Sequence, residues 1–346
     1  MPVPRVGQAS SKNNDTKREW CPGSLEVLVL PRQARRTETL TGHAARTRAN
    51  WETNKEDTMR DLNYEMKQLC LRNRDGSFST QYARERILTM IANQLHEMGF
   101  HHMQAASLKP KHVEALVERW KAESLSAGTI KNRMTELRWW AEKVAKQNVL
   151  ARANDFYGIP RRNYVTNVSR SRVLTSGDLE KLTDPWTRMS LKLQAAFGLR
   201  REESIKIRPE WADRGDRLAL KASWTKGGRE REIPIRTAEQ RLVLDEAKQL
   251  AVRGSLIPKA SSYVQQLQRF KAQCMAAGIR HVHGHRHQYA QDRYRVLTGW
   301  ACPAQGGPNS KQLTYEQKAI DRQARLTISQ ELGHGRERIA SVYLGR

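Results

Sequence analysis

What this chain has little of narrows its function first. Cysteine occurs four times in 346 residues, at Cys21, Cys70, Cys274 and Cys302, with no C-x-x-C pair. That spacing excludes a zinc knuckle and a disulfide framework and predicts a reduced, cytoplasmic compartment. Long apolar runs are missing too. The longest near the start, Leu25–Leu30, is far too short to span a bilayer, and no basic-then-apolar secretory layout precedes it. Acidic residues are scarce: 36 Asp and Glu stand against 61 Lys and Arg, a formal charge of +25. An imbalance of that size implies a polyanionic partner, nucleic acid before any other. A membrane surface fits less well, because the charge is spread along the whole chain rather than gathered on one amphipathic helix. Internal repeats and low-complexity tracts are also lacking.

What is present is length enough for two domains and a change of texture along the chain. Residues 1–57 read as a flexible basic arm; Met1–Asn50 alone carries nine Lys or Arg against four acidic residues. From about Thr58 the pattern turns helical. Ile87, Leu88, Ile91 and Leu95 fall at helical spacing before Gly99, and Val113, Leu116, Val117 and Trp120 form a stripe behind Pro110. A third helix buries Ile130, Met134, Leu137 and Trp140–Ala141 and shows Lys131, Asn132, Arg133 and Arg138, a face that is either ordinary solvated surface or a DNA contact. Residues 159–176 are polar, basic and without a stripe, as expected of a linker. Thr175 precedes a helix beginning near Gly177–Asp178, and Trp186–Phe197 reads as a second, apolar one. The β signal is confined to RLALKASWTKGGREREIPI, where Gly227-Gly228 predicts a tight hairpin turn. Beyond Thr298, GWACPAQGGPNSK reads as a surface loop within residues 297–319.

Between these elements lies HVHGHRHQ, with histidines at 281, 283, 285 and 287. On a strand all four rings would share a face and suggest zinc; on a helix only His283 and His287 would. The stretch holds no carboxylate or cysteine, and Arg286 would repel a dication. No metal site is therefore expected. Arg286 instead joins three other polar clusters: GLRREES with Arg200 and Glu203, TKGGRER with Lys226, and LGHGRERIASVYLGR, in which Tyr343 follows His334 by nine residues.

Those four clusters, in that order, resemble the tyrosine recombinases, or phage-type integrases. G-L-R-x-x-E is similar to the family's first arginine box, and Lys226 on a hairpin turn, H-x-x-R-H, and L-G-H followed by tyrosine are its other landmarks. LSAGTIKNRMTELRWW resembles the last helix of the family's core-binding domain, and RVLTSGDLEKL the start of its catalytic domain. The resemblance implies an α+β, mostly α fold. A helical core DNA-binding domain over 58–158 would precede a catalytic domain over 177–346 with a small antiparallel sheet, the two closing on duplex DNA as a clamp. It further implies a site-specific recombinase working through a 3′-phosphotyrosyl link and a Holliday junction, to integrate and excise a mobile element. No cofactor is implied. The partners would be DNA attachment sites, further recombinase protomers, as a homotetramer or a mixed complex, and DNA-bending accessory proteins.

The residue types suit that chemistry. In-line attack on a phosphodiester builds negative charge that Arg200 and Arg286, as planar permanent cations, can hold. Tyr343 is the candidate nucleophile; a phenol is protonated at neutral pH and needs such neighbours to ionise. Lys226 can protonate the leaving 5′-oxygen. His283 would move a proton or steady the phosphate, and His334 would donate to it, while the resemblance gives Glu203 a supporting part. Each has a plain alternative: Arg200 as a surface cation beside Arg201, Lys226 solvated in its turn, Tyr343 packing the last helix. Two features depart from the family. The distance from Arg286 to His334 is long, and the sequence continues only three residues past Tyr343, where relatives commonly extend into a segment that docks on a neighbouring subunit. The alternatives at the level of function are an inactive or regulatory DNA-binding protein of the same fold and a relaxing type IB topoisomerase.

Overall fold

The computed structural model describes residues 61–346; the basic arm expected over 1–57 lies outside them. The chain divides into two compact units. One comprises the described residues up to Arg119 with Arg133–Leu150, the other Trp120–Asn132 with Ala151–Arg346.

The early helices are α1 (Asp61–Arg72), α2 (Phe78–Glu97), α3 (Pro110–Ala122) and α4 (Ala127–Lys143). Ser77 caps α2 by accepting from the Thr80 amide at 3.3 Å, which satisfies one donor that the first turn leaves unpaired. The stripes expected from sequence are buried but for half-buried Ile87: Leu88, Ile91 and Leu95 in α2, Val113, Leu116, Val117 and Trp120 in α3, and Ile130, Met134, Leu137, Trp140 and Ala141 in α4. Trp140 spends its indole N–H on the Ala105 carbonyl at 2.9 Å, so its burial leaves no donor unmet. Of the four polar residues singled out on α4, Asn132 is exposed and Lys131, Arg133 and Arg138 are half-buried.

The second unit runs α5 (Ser176–Glu180), α6 (Pro185–Phe197), α7 (Arg201–Lys206), α8 (Pro209–Ala212), β1 (Arg217–Leu220), β2 (Arg231–Pro234), α9 (Ala238–Ala251), α10 (Tyr263–Ala276), α11 (Gly284–Thr298), α12 (Tyr315–Glu331) and α13 (Ser341–Leu344). Phe197, Leu218, Ile233, Leu244, Tyr294 and Ile328 anchor its main core. The strands pair antiparallel, Leu218 opposite Ile233. Mostly helical with a small two-stranded sheet, the architecture is the one expected.

Two local expectations need correction. The hairpin is not tight: ten residues join β1 to β2, including a 3-10 turn over Ala222–Trp224. Gly227 and Gly228 do take positive φ, at 83° and 65°, but they shape the tip of a long loop. Trp224, packed into the core, holds one side of that loop down. Nor is the 297–319 region a mere surface loop. Cys302 is fully buried, Leu313 nearly so, and Trp300 packs on the same core. Apolar side chains in that segment found more area to bury inside than a solvated loop would give them. Its 3-10 turn, Pro303–Gln305, lies against α13.

Residues 160–175 form no regular element, yet part of the segment is fastened. The Arg172 amide donates to the Gly284 carbonyl at 3.1 Å, and His285 Nδ1 lies 2.9 Å from the Arg172 carbonyl. Only glycine fits at 284, because a Cβ there would stand 2.8 Å from the Arg170 carbonyl oxygen.

Candidate active site

The HVHGHRHQ stretch is helical from Gly284, with His283 as the residue before the first turn. His283 and His287 therefore share a face, ring centroids 5.5 Å apart, while His285 turns to Arg172. Among the described residues no three His, Cys, Asp or Glu side chains gather closely enough to hold a metal ion.

Arg286, on the same helix, is 1 % exposed. Its guanidinium is held from several sides. Nη1 donates to the Gly198 carbonyl at 2.5 Å, Nη2 to the Leu332 carbonyl, and Nε to the Tyr343 hydroxyl at 3.2 Å. Burial pushes its pKa down to about 10, which leaves it a cation at neutral pH. Gly198 ends α6 in the left-handed conformation, φ 61°. A Cβ at that position would sit 2.6 Å from the Tyr289 ring, so glycine is what allows this carbonyl to approach α11.

Glu203 is the hub of the cations. Its carboxylate accepts Arg200 Nη1 at 2.7 Å and Arg231 through two bonds, at 3.0 and 2.6 Å. It also caps α7 by accepting the Arg200 amide at 2.7 Å. Burial by itself would raise its pKa, but Arg231, then Arg200 and Arg286, outweigh burial and hold it at about 2. A carboxyl depressed from about 4.5 stabilises the fold fully above pH 4.5, and that contribution is lost as pH falls toward 2; its size is on the order of 3 kcal/mol. Urea unfolding of Glu203→Gln is expected to show a lower midpoint than wild type at pH 7, and a gap that narrows between about pH 4.5 and 2. A gap that stays constant over that window would remove Glu203 from the centre of this network.

Tyr343 lies on the four-residue helix α13 and is 5 % exposed. Its ring rests 4.6 Å from that of His287 and its hydroxyl lies 3.3 Å from His334 Nε2. Arg286 Nη2 also reaches His334 Nε2 at 3.3 Å. A guanidinium can only donate, so this nitrogen is assigned as the unprotonated acceptor, and the tyrosine must donate its own proton to it. His334 is neutral: burial, Arg286 and Arg200 bring its pKa down to about 3. Burial likewise lowers His287, to about 4, and His283, which Arg286 and Arg200 depress further.

These groups border one open cleft of about 630 Å³, lined by Arg200, Lys226, Arg229, His283, His334 and Tyr343 among others. Every catalytic residue expected from sequence thus lines the cleft, apart from Arg286, which lies beneath it against Tyr343. Lys226 stands exposed on the long loop at its edge. Sequence reasoning passed over Arg231 and gave His287 no role. Arg231 had a legible signal: it falls two residues before buried Ile233, hence on the inward face of β2, where a charge requires a buried partner. A second hub, Glu331, was also unseen; it accepts Tyr289 at 2.7 Å and Arg236 at 2.6 Å just before Leu332-Gly333-His334.

Two family models match the chain in tandem, "Phage integrase, N-terminal" over residues 59–149 and "Integrase" over 162–292. His334 and Tyr343 lie beyond the second match. A lambda integrase dimer bound to a COC′ core site shares the fold with a TM-score of 0.51 at 17 % identity, covering 88 % of this chain and 83 % of that one. A lambda integrase tetramer bound to a Holliday junction gives 0.51 at 16 % identity, with coverage of 88 % and 87 %. No curated protein sequence matches.

Proposed function

Since the chain belongs to the phage-type integrases, the tyrosine recombinase family of DNA integration and site-specific recombination, we propose that it carries out this chemistry itself, with Tyr343 as nucleophile. The observation that carries the proposal is the tyrosine hydroxyl held between Arg286 at 3.2 Å and His334 at 3.3 Å, in a cleft shared with Arg200, Lys226 and His283. The Tyr343 oxygen attacks a backbone phosphorus as its proton passes to His334 Nε2, here an acceptor rather than the donor expected from sequence. The phosphate's negative charge in the cleft offsets the arginines that, with burial, bring this histidine's pKa down to about 3 without DNA. The bond from phosphorus to the 5′-oxygen breaks, Lys226 supplies the proton that the leaving oxygen takes up, and a 3′-phosphotyrosyl link remains. A 5′-hydroxyl from the partner duplex reverses the step, so one phosphodiester replaces another and no hydrolysis is required.

Arg200 and Arg286 stabilise the charge that builds on the non-bridging oxygens, and Glu203 with Arg231 keeps Arg200 aimed. His283 adds a hydrogen bond or a proton at the cleft mouth. Lys131, Asn132, Arg133 and Arg138 on α4 are proposed to contribute backbone phosphate contacts. The assembly on DNA is proposed to contain further recombinase protomers, in keeping with the dimer and tetramer of the similar structures, with DNA-bending proteins as accessories.

The decisive test uses the DNA flanking this gene to supply nicked duplexes that span the element's junctions. Wild type with EDTA present is expected to yield a protein–DNA adduct that survives a denaturing gel. A protein that shifts these duplexes but never forms the adduct would be a DNA-binding relative without chemistry, and supercoil relaxation without strand exchange would mark a topoisomerase. The net charge of +25 adds a second expectation: DNA affinity falls steeply and log-linearly with salt, by roughly 10³-fold or more between 50 and 200 mM for six or more phosphate contacts. Affinity that ignores salt would be incompatible with a phosphate-gripping surface.

A further inference from the structure

The helix that carries Tyr343 is four residues long. So short a helix has no stability of its own, because nucleation costs more than one or two hydrogen bonds return. The carbonyls of its last turn have no partner within the helix, so what satisfies them decides where the tyrosine points. The Tyr343 carbonyl accepts from Gln291 Nε2 at 2.9 Å, and the Gly345 carbonyl from Arg325 Nη1 at 2.9 Å. Gln291 is fully buried on α11, one turn beyond His287. Its other amide atom, Oε1, accepts the Ser169 hydroxyl at 3.0 Å, which fixes the orientation of the amide. Two residues earlier, Asn167 pairs with the backbone of Arg346 in both directions, at 2.7 and 3.0 Å.

Helix α11 therefore holds Tyr343 at three points: Arg286 at the hydroxyl, His287 at the ring and Gln291 at the carbonyl. We propose that Gln291, steadied by Ser169, is a positioning residue that sets the aim of the Tyr343 hydroxyl by gripping its main chain. The proposal rests on Tyr343 being the nucleophile. Gln291 touches no reacting atom. It works by making the tyrosine and Arg286 move as one body with α11, so that the hydroxyl cannot drift from the phosphate-binding arginine. The contact with Ser169 ties the same grip to the segment that precedes α5.

Two variants of the full chain separate this from general destabilisation. Gln291→Met keeps the side chain's length but can donate nothing, and Gln291→Glu places a carboxylate against the Tyr343 carbonyl. On the nicked junction duplexes Gln291→Met is expected to form adduct roughly a hundredfold more slowly, the scale of a misplaced reacting group, with unchanged DNA affinity. Gln291→Glu is expected to be as slow at pH 8. Burial raises a carboxyl's pKa, and once protonated the group can donate again. Its rate relative to wild type should therefore climb as pH falls toward 5.5, while the Gln291→Met ratio stays flat. Equal rates for both variants and wild type, or the same flat ratio for both, would overturn the proposal. Hydrogen exchange in DNA-free protein adds a readout independent of chemistry. The amides of Tyr343, Leu344 and Gly345 should exchange at least tenfold faster in Gln291→Met, with the core helices unchanged, and exchange at the wild-type rate also counts against the grip. Faster exchange together with a wild type that forms no adduct would sink the nucleophile instead and leave the grip standing.

Discussion

Tyr343→Phe is expected to form no covalent DNA adduct while binding DNA as tightly as wild type. The substitution removes one oxygen and nothing else. The ring keeps its packing 4.6 Å from His287, and the main chain keeps its bonds to Gln291 and Ala340. What is lost is the atom that Arg286 and His334 approach at 3.2 and 3.3 Å. Arg286 Nε, on a residue 1 % exposed, loses its acceptor and His334 loses a donor, a cost of about 1–3 kcal/mol. Against a typical domain stability of about 5–15 kcal/mol the variant should still fold, with a lowered melting temperature. The two measurements are a denaturing gel of nicked junction DNA and a native mobility shift at equal protein concentration. An adduct at even a few per cent of the wild-type level would mean that another nucleophile exists. Lost DNA binding would mean that the hydroxyl supports the fold rather than the chemistry.

Arg286→Lys carries the second large effect. Lysine keeps the charge but replaces a planar fork with a single ammonium. In the native site the fork serves the carbonyls of Gly198 and Leu332, the Tyr343 hydroxyl and His334 from fixed directions. An ammonium on a flexible stem cannot serve all of them and also take the part in phosphate binding proposed for Arg286. The adduct rate is expected to fall by roughly 10³-fold, since losing one preorganised donor to a developing anion costs about 10²–10³ by itself. Arg286→Ala should be worse in a second way. It strands two buried carbonyls, at about 1–3 kcal/mol each, so a lower melting temperature should accompany the lost activity. The lysine variant separates the two effects: wild-type melting with the adduct rate gone assigns Arg286 to the chemistry, whereas near-normal rates would make it a structural strut.

The sequence by itself determined the helical stripes, the order of the four polar boxes and the company that Arg286 keeps. These are local or periodic signals: a 3.6-residue repeat writes the buried face of a helix directly into the chain. In the same way the H-x-x-R spacing sets His283 and Arg286 one helical turn apart. Only the tertiary structure decided the partners. Arg231 looked like one more basic residue beside Lys226, and its bidentate grip on Glu203 joins residues 28 positions apart. Gln291 carried no motif at all, yet it reaches the Tyr343 carbonyl across 52 positions. The Gly-rich turn promised a tight hairpin, but ten residues join the strands, with Trp224 among them packed into the core. Region 297–319, polar and punctuated, gave no hint that Cys302 would enter the core and its 3-10 turn lie against α13. Burial rewards area wherever the chain finds it, and a buried charge takes whichever partner the packed fold brings within reach. Neither leaves a period in the sequence, and so the aim of the tyrosine is a property of the folded chain alone.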